Sequence, residues 1–337
     1  MASIKHLLTF TFCIFFVVSS SAQLQVDTEI STEQLVQDFL LGSGILIENV
    51  TVQGADVQTG MFSFAPESVG MESGIVMSTA SASNLMAPGS FDDVPFGEGV
   101  AGDEDLIMIS NLVPVYIGES FNILSANDMC VIEFDFIPLA DSLAFNYVFG
   151  SNEYEAWVNT AFNDMFAFFL SGPTISGPYS APAAFPNGAA NIAFVPGTDP
   201  ELPITVSSVN SSLNDEFYIP NEGQDDIAIN GYTTVLTASA SGLNVGETYH
   251  IRLAIADGTD TALESVVLLE EGSFSAYETI EEAFGPGDLD GDSDIDIDDL
   301  LDLLGDLGCE GVDCIGDLNG DGITNVMDVL FFLGLFE

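Results

Sequence analysis

The sequence predicts a mainly β protein: an antiparallel β-sandwich or jelly roll followed by a small α-helical module with two calcium-binding loop–helix repeats. Hydrophobic residues alternate with a period of two over much of the chain, in short segments separated by Gly, Pro, Asn and Ser. Amphipathic helices do not intervene between these segments, which disfavours a parallel sheet. Near the carboxyl end, two aspartate-rich stretches are each followed by an apolar stretch, and these predict the module.

The first residues have the pattern of an export signal. Lys5 precedes an apolar stretch over residues 7–18 that is too short to span a bilayer, and residues 20–22 are small. We therefore predict a signal peptide over residues 1–22, and a mature protein that is secreted or displayed at the cell surface. No later apolar run in the sequence reaches membrane-spanning length.

The chain is strongly acidic. It has 53 acidic residues against two basic ones, a net charge of −51, and removal of the predicted signal leaves Arg252 as its one Lys or Arg. Such a surface cannot form the cation-rich patches that bind nucleic acid or anionic lipid, whereas it attracts divalent cations. Adaptation to salty surroundings would explain an acidic surface in general, but it does not explain acids at regular spacing.

The main part of the chain begins with a short helix and continues as strands. Residues 31–44 predict the helix, because Ser31 and Gln34 can form a capping box and Leu35, Phe39 and Leu40 form an apolar face. The clearest strands are residues 74–79, 130–138, 142–150, 164–172, 191–197, 232–240 and 247–257. Two further stretches, 82–106 and 171–190, are predicted as long loops, where binding sites usually lie.

The two acidic stretches have the spacing of calcium-binding loops. Ca²⁺ takes about six to eight oxygens, which a short loop supplies from positions 1, 3, 5, 9 and 12 and from the carbonyl at position 7. The first loop would use Asp288, Asp290, Asp292, Asp296 and Asp299, with the carbonyl of Asp294. The second would use Asp317, Asn319, Asp321, Asn325 and Asp328, with the carbonyl of Ile323. A solvated acidic linker is the alternative, but regular apolar helices after each cluster do not suit a linker.

Three cysteines remain after removal of the signal. Cys309 and Cys314 lie between the two acidic repeats, and export makes a disulfide possible there, which we favour over free thiols although the sequence cannot establish connectivity. Cys130 alternates with apolar residues in "CVIEFDF", which predicts an inert core thiol on the inward face of a strand.

Several motifs together resemble the choice-of-anchor L domain family. They are "GMESGIVMSTA" (70–80), "GDEDL" (102–106), "FGSNEYEAWVNTAFNDMFAFFLSGPTISGPYS" (149–180) and "GETYHIRLAIADGTDTALESVVLLEEGSF" (246–274), and they occur in the family's order. The resemblance implies a secreted or surface-displayed bacterial β-rich domain. We place this domain at residues 23–275, a linker at 276–286 and the duplicated module at 287–337.

The acidic repeats resemble the type I dockerin, which pairs two EF-hand-like loops, each followed by one helix. That resemblance implies docking into a partner receptor domain through the helices, in a scaffold for polysaccharide breakdown. A structural, calcium-stiffened module without a partner remains an equal alternative. Ser293 departs from the pattern, because the sharp turn of the loop usually takes Gly, as Gly322 does in the second copy. The first site is therefore predicted to be strained or weaker.

The family-like motifs contain a second set of acids at strand ends and adjoining loops. These acids are Glu153, Asp164, Asp257, Asp260 and Glu264. They could converge on a further Ca²⁺ site that rigidifies the long loops, or they could be separate surface acids and turn formers. Tyr154, Trp157 and Tyr179 lie near the same loops and could form a stacking surface for sugars or a protein partner.

Signatures of catalysis are sparse. His250 is the one histidine after the signal, and no nucleophile elbow or Cys–His pair accompanies it. Its strand places it on the same face as Arg252, whose counter-ion could be Glu247 or Asp257. We predict a non-enzymatic calcium-binding protein that serves adhesion or partner binding through its sandwich loops. The alternatives are a dockerin-bearing scaffold component and a glycoside hydrolase that uses an acidic pair.

Overall fold

The structure is a computed structural model. It describes residues 24–86, 102–224, 227–277, 287, 289, 297–309, 314–316, 318 and 323–333. The predicted signal peptide lies outside these residues, as do most ligand positions of the two acidic loops. Within the described residues, no helix has both the length and the apolar composition needed to cross a membrane.

The sandwich predicted from the sequence consists of two antiparallel sheets. In chain order the strands are β1 Gln25–Asp27, β2 Ile45–Gln53, β3 Thr59–Ser63, β4 Gly74–Ser78, β5 Ala126–Pro138, β6 Ser142–Ser151, β7 Met165–Ser171, β8 Ala190–Asn191, β9 Phe194–Val195, β10 Leu202–Pro203, β11 Tyr218–Pro220, β12 Gly231–Thr233, β13 Leu236–Ala240, β14 Tyr249–Gly258, β15 Ser265–Glu270 and β16 Ser275–Tyr277. The first sheet has the order β1-β3-β4-β15-β6-β12-β11, with β13 and β16 also paired to β6. The second has the order β2-β5-β14-β7-β8, and β9 pairs with β10 separately.

Aromatic side chains from both sheets meet in the core. Phe145 and Tyr147 of β6 contact Phe168 of β7, with ring centroids 5.1 and 5.0 Å apart. The inward residues of β14 are fully buried, as the period-two pattern predicted. Cys130 is also buried in this core as a free thiol, which confirms its predicted place.

The sandwich extends further along the chain than the predicted domain boundary. Strand β16 pairs with β6, with Ala276 opposite Leu143, so the first residues of the predicted linker belong to the sheet. Just before β16, Phe274 is fully buried between the sheets. Residues 278–286 of the predicted linker lie outside the described residues.

The helix predicted within residues 31–44 is present, but most of it is of another type. Helix α1 covers Thr32–Gln34 and continues directly into a π-helix over Leu35–Leu40. The Ser31 hydroxyl accepts a hydrogen bond from the Gln34 backbone N–H at 3.4 Å and donates one to Gln34 Oε1 at 3.0 Å. The predicted pairing of Ser31 with Gln34 therefore exists, although the side chain of Gln34 meets the hydroxyl of Ser31 and not its backbone N–H.

The stretch predicted as a loop over 82–106 contains helical structure at both ends. A 3₁₀ helix covers Ala82–Met86, α2 covers Glu104–Ser110, and α3 follows at Leu112–Ile117. Asp103 caps α2 by accepting hydrogen bonds from two backbone N–H groups of its first turn. The remaining 3₁₀ helices of the described residues are Asp56–Gln58, Glu67–Val69 and Asp215–Phe217.

Most predicted strands are confirmed, and two are divided. The segment 191–197 splits into the end of β8 and β9, because the side chain of Asn191 bonds the backbone of Phe168 and Ala193 and turns the chain. The segment 232–240 splits into β12 and β13. The predicted long loop after β7 is confirmed up to the start of β8.

The carboxyl-terminal part contains two helices and a disulfide. Helix α4 covers Ile297–Gly305 and α5 covers Val326–Phe332, and the side chains of Leu303 and Phe332 are fully buried. Cys309 and Cys314 form a disulfide, as we favoured from the sequence. Thr324 links the two repeats, because its carbonyl accepts the Gly308 N–H and its N–H donates to the Cys309 carbonyl.

Candidate metal sites

Acidic side chains lie together at the end of the sandwich where the chain crosses between the sheets. The chain leaves β6 for β7 through residues 152–164, and it leaves β14 for β15 through residues 259–264. We call the acids of these two crossovers, together with Asp257 near the end of β14, the acidic cluster: Glu153, Asp164, Asp257, Asp260 and Glu264. The structure thus brings together the five residues that the sequence singled out in the family-like motifs.

Strand pairing places the acids of the second sheet next to each other. Ala256 of β14 lies opposite Met165 of β7, which puts Asp257 beside Asp164. The Gly258 backbone N–H donates to Asp164 Oδ1 at 2.9 Å, and the Ser265 hydroxyl of the first sheet donates to Asp164 Oδ2 at 2.7 Å. Asp164 is therefore held by both sheets.

Two carboxylates of the acidic cluster each have a buried oxygen without a partner. Glu153 is 1% exposed and Asp257 is 3% exposed, yet neither Glu153 Oε2 nor Asp257 Oδ1 has a hydrogen-bond partner. Glu264 differs, because its Oε1 accepts a hydrogen bond from the Asn84 side-chain amide at 2.5 Å. A buried carboxylate oxygen without a partner is unfavourable, so a proton or a cation has to compensate it.

Burial and mutual repulsion raise the pKa values of these acids. Burial, reinforced by Asp164 and Asp260, raises the pKa of Glu153 to about 10. Burial also raises the pKa of Asp164 to about 8, against the lowering effect of its hydrogen bonds. The pKa of Asp257 is raised well above its ordinary value, first by burial and then by Asp164.

Asp128 is a sixth acid at this end of the sandwich that the sequence analysis missed. It lies near the start of β5 with a positive φ of 46°, and its neighbour Asn127 pairs with Asp257. Burial raises the pKa of Asp128 to about 6. Its place at a strand end, the criterion that found the other acids, could have identified it.

The carboxylate oxygens of the acidic cluster are too far apart to bind one cation as they stand. Among the described residues, no three acids of the cluster place oxygens within 4.8 Å of one another. The described group that does meet this spacing is Asp306, Cys309 and Cys314, but its two sulfurs are joined in the disulfide and offer no thiolate to a metal. A cation in the acidic cluster therefore requires the unpartnered carboxylates to turn towards it.

The structure describes four of the predicted ligands of the carboxyl-terminal loops. These are Asp299, Ile323, Asn325 and Asp328, whereas Asp288, Asp290, Asp292, Asp294, Asp296, Asp317, Asn319 and Asp321 lie outside the described residues. Asp299 and Asp328, the closing positions of the two loops, are fully buried. Asp299 Oδ1 accepts the Leu289 N–H at 2.5 Å, which joins the two ends of the first loop.

The second loop is fixed at the start of α5. Asn325 is the N-cap residue, because its Oδ1 accepts the Met327 N–H at 2.8 Å, and its Nδ2 donates to the Ile323 carbonyl at 2.8 Å. Asp328 Oδ2 accepts the Asn325 N–H at 2.7 Å. The amide oxygen of Asn325 thus serves the helix end, while the carboxylate of Asp328 points back towards the loop.

Comparison with known proteins identifies the main domain. The profile of the choice-of-anchor L domain matches residues 24–275. The chain belongs to the choice-of-anchor L family. Membership places the protein among surface-associated or secreted proteins. No curated protein and no solved structure matches the chain.

Within the choice-of-anchor L domain, Arg252 pairs with acids that the sequence analysis did not consider. It bonds Asp103 through Nη1 and Asp105 through Nη2, the latter at 2.7 Å, and its guanidinium lies 4.3 Å from the ring centroid of Phe169. The predicted counter-ions, Glu247 and Asp257, were wrong. They lie near the ends of the strand, whereas Arg252 lies mid-strand beneath α2.

His250 of the choice-of-anchor L domain faces two carboxylates. Its Nδ1 lies 2.8 Å from Asp135 Oδ1, and its Nε2 lies 4.0 Å from Glu133 Oε1. Burial alone would lower the pKa of His250, but the neighbouring carboxylates of Glu133 and Asp135 raise it above its ordinary value. A cavity of about 240 Å³ adjoins His250 and Arg252, and both of these side chains already have acidic partners.

We predicted that Tyr154, Trp157 and Tyr179 form an aromatic stacking surface, and the prediction is wrong for the two tyrosines. Tyr154 is buried against Tyr218, and Tyr179 is buried against Phe169, so neither ring is open to a ligand. Trp157 alone of the three is exposed, at 40%. The partner of Tyr154 lies far along the chain at Tyr218, whereas Tyr179 folds back onto Phe169 of the strand just before its loop.

Proposed function

We propose that this protein is a secreted or surface-associated binding protein, without enzymatic activity, whose carboxyl-terminal module is folded by Ca²⁺. The choice-of-anchor L domain would present its loops to a ligand or partner, as in adhesion. The observation that carries the proposal is the full burial of Asp299 and Asp328, the closing residues of both predicted loops. An acidic linker would leave these carboxylates in water.

The contacts around the module support closed loops. Leu289 and Asp299 are joined by a hydrogen bond, so the two ends of the first predicted loop lie together. Asp306 Oδ2 accepts the Gly316 N–H and the Thr324 hydroxyl, both at 2.8 Å, and connects the end of α4 with the start of the second loop. Each loop has an oxygen at every ligand position, and so many neighbouring acids need a cation when they are brought together.

Loops at the surface of the sandwich support the binding role. The stretch from β7 to β8 is long and irregular. It is fixed to the domain where the Ser180 N–H donates to Asp105 Oδ2 at 3.0 Å and where the hydroxyls of Thr174 and Tyr249 lie 3.0 Å apart. Trp157 on the β6–β7 crossover adds an exposed aromatic ring. Rigid scaffolds that carry such loops commonly use them for recognition.

Removal of Ca²⁺ from the full-length mature protein is expected to unfold the carboxyl-terminal module and to leave the sandwich folded. Because the unfolded chain has no ligand geometry, binding energy becomes folding energy. At a Ca²⁺ concentration about a hundredfold above Kd, the gain is about 2.7 kcal/mol, so amide exchange in α4 and α5 should slow by about a hundredfold. Hydrogen–deuterium exchange with mass spectrometry, in chelator and then in Ca²⁺, measures this for each helix.

A matched pair of variants controls that experiment. Asp299→Asn should weaken the protection of α4 by Ca²⁺, whereas Asp302→Asn, on the exposed side of the same helix, should not. Exchange in α4 and α5 that is equally slow with chelator and with Ca²⁺ would show that the module folds without the ion.

A second candidate function is docking of the module into a receptor domain. The observation that favours it is a large set of exposed apolar side chains on the module. These are Ile297, Leu301, Leu304, Leu307, Ile315, Ile323, Val326, Met327, Leu330, Phe331 and Leu333. In this version the choice-of-anchor L domain would be carried as cargo.

Docking predicts a saturable protein partner that chelation removes. We expect immobilised full-length protein to capture such a partner from extracellular extracts of the producing cells in Ca²⁺, and the variant Leu301→Ser/Leu330→Ser to lose it. Leu139→Ser, at an exposed leucine of the sandwich, should retain the partner. Equal capture by both variants would exclude the helices as the docking surface.

A further inference from the structure

We propose that the acidic cluster at the crossovers of the choice-of-anchor L domain is a Ca²⁺ site of its own, separate from the carboxyl-terminal loops. The ion would join the β6–β7 crossover to the β14–β15 crossover. Glu153 and Asp257 would supply the oxygens that close the site, and Asp164 would supply the anchored carboxylate between them.

The unpartnered buried oxygens point to a ligand. Crowded surface acids normally face water, but Glu153 and Asp257 are buried and each leaves one oxygen without a hydrogen bond. The chain neighbours Asn152 and Asn163 also each have a buried Nδ2 without an acceptor. The polar groups at this end of the sandwich are therefore incomplete, and an ion with its bound water would complete them.

Within the proposed site, Asp164 is held in place by hydrogen bonds, whereas Glu153 and Asp257 each have one oxygen that is available to the ion. Asp164 cannot turn easily, because the Gly258 N–H and the Ser265 hydroxyl hold its two oxygens. The carboxylate of Glu153 has no such restraint on Oε2, and neither has Asp257 on Oδ1. These free oxygens can close the open arrangement by side-chain rotation while Asp164 keeps its place between the two sheets.

The chemistry of the donors selects the ion. The acidic cluster offers carboxylate oxygens, the hard donors that suit Ca²⁺ and Mg²⁺ over softer transition metals. Mg²⁺ demands a near-ideal octahedron and gives up its water reluctantly, whereas Ca²⁺ accepts an irregular shell with more protein ligands. Carboxylates that come from two crossovers of two sheets form an irregular shell. The site therefore fits Ca²⁺ better.

The single tryptophan of the chain gives a direct test. Trp157 lies on the β6–β7 crossover, and its backbone N–H donates to the backbone carbonyl of Glu153 at 3.0 Å. Residues 287–337 contain neither Trp nor Tyr, so light that excites tryptophan alone finds no sensitiser within the carboxyl-terminal module. In the full-length mature protein, Tb³⁺ in the acidic cluster should emit when tryptophan alone is excited. Ca²⁺ should displace it, and Mg²⁺ should do so only at much higher concentration.

Variants separate this site from the loops. Glu153→Gln should weaken Tb³⁺ binding by about tenfold to a hundredfold. Glu155→Gln, two residues along and bonded to Ser211, should leave it unchanged. The double variant Asp299→Asn/Asp328→Asn should keep the tryptophan-sensitised emission even though its carboxyl-terminal loops are impaired. The test of the acidic cluster is therefore independent of the test of Ca²⁺ binding by the carboxyl-terminal loops.

Folding of the key variant is checked in chelator. Glu153→Gln replaces the buried carboxyl group by an amide of similar size and breaks no ion pair, so its melting temperature in chelator should equal or exceed that of the wild type. With that condition met, a loss of emission in Glu153→Gln supports the site. Emission that is absent from the wild type, or that is identical in Glu153→Gln, would overturn the proposal and leave the acids as proton-sharing groups.

Discussion

Arg252→Met is expected to lower the free energy of unfolding by about 3–5 kcal/mol, because it leaves the carboxylates of Asp103 and Asp105 buried without their cation. All three side chains are largely buried, at 14% exposure for Arg252, 7% for Asp103 and 10% for Asp105. Methionine retains most of the side-chain volume over Phe169. The loss of stability is therefore due mainly to the missing positive charge and less to lost packing. Urea unfolding followed by fluorescence measures it.

The matched control removes the stranded charges together with the arginine. Asp103→Asn and Asp105→Asn, combined with Arg252→Met, should recover a large part of the lost stability, since amides are cheaper to bury than unpaired carboxylates. A loss below about 1 kcal/mol for Arg252→Met alone would place the group among ordinary surface ion pairs and contradict its buried role.

Phe274→Ala is expected to cost about 3–5 kcal/mol, as for other large-to-small substitutions of buried aromatic residues. Phe274 is fully buried, and its ring lies 5.1 Å from Phe134, 5.4 Å from Phe136 and 5.1 Å from Phe145. It therefore contacts both sheets at once. Thermal and urea unfolding of the full-length protein measure the loss.

An exposed phenylalanine provides the comparison. Phe64→Ala, at a residue that is 48% exposed, should change stability far less than Phe274→Ala. Equal effects of the two substitutions would contradict the placement of Phe274 between the sheets. The same reasoning predicts that a domain cut before Phe274 loses its fold, so an expressed sandwich has to include β16.

The sandwich could be predicted because its signal is local. In β14 the residues Tyr249, Ile251 and Leu253 alternate with His250 and Arg252, and the structure buries the first set in the core. Such alternation is visible within a few residues, whatever strand lies alongside. The acids of the acidic cluster were found for a similar reason. They lie at strand ends, and strand ends at the same edge of a sandwich lie close together.

Other features depend on distant residues and had no local signal. Arg252 pairs with acids about 150 residues away in the sequence. Acids near Arg252 in the sequence had been predicted as its counter-ions instead. Tyr154 was expected to be available because it lies in a loop, yet it packs on Tyr218 from a distant part of the chain. The π-helix after α1 follows a capping pattern that would equally precede an α-helix.

The place of Arg252 has a consequence for digestion by other organisms' enzymes. Proteases of the trypsin type cut after Lys or Arg, and beyond residue 22 this chain has one such residue. It lies in β14, which is paired on one side with β5 and on the other with β7. A protease needs an accessible, extended backbone, which a central strand does not offer until the sheet opens. The folded protein is thus expected to resist proteases of the trypsin type. Cleavage after Arg252 would indicate that the sandwich had unfolded.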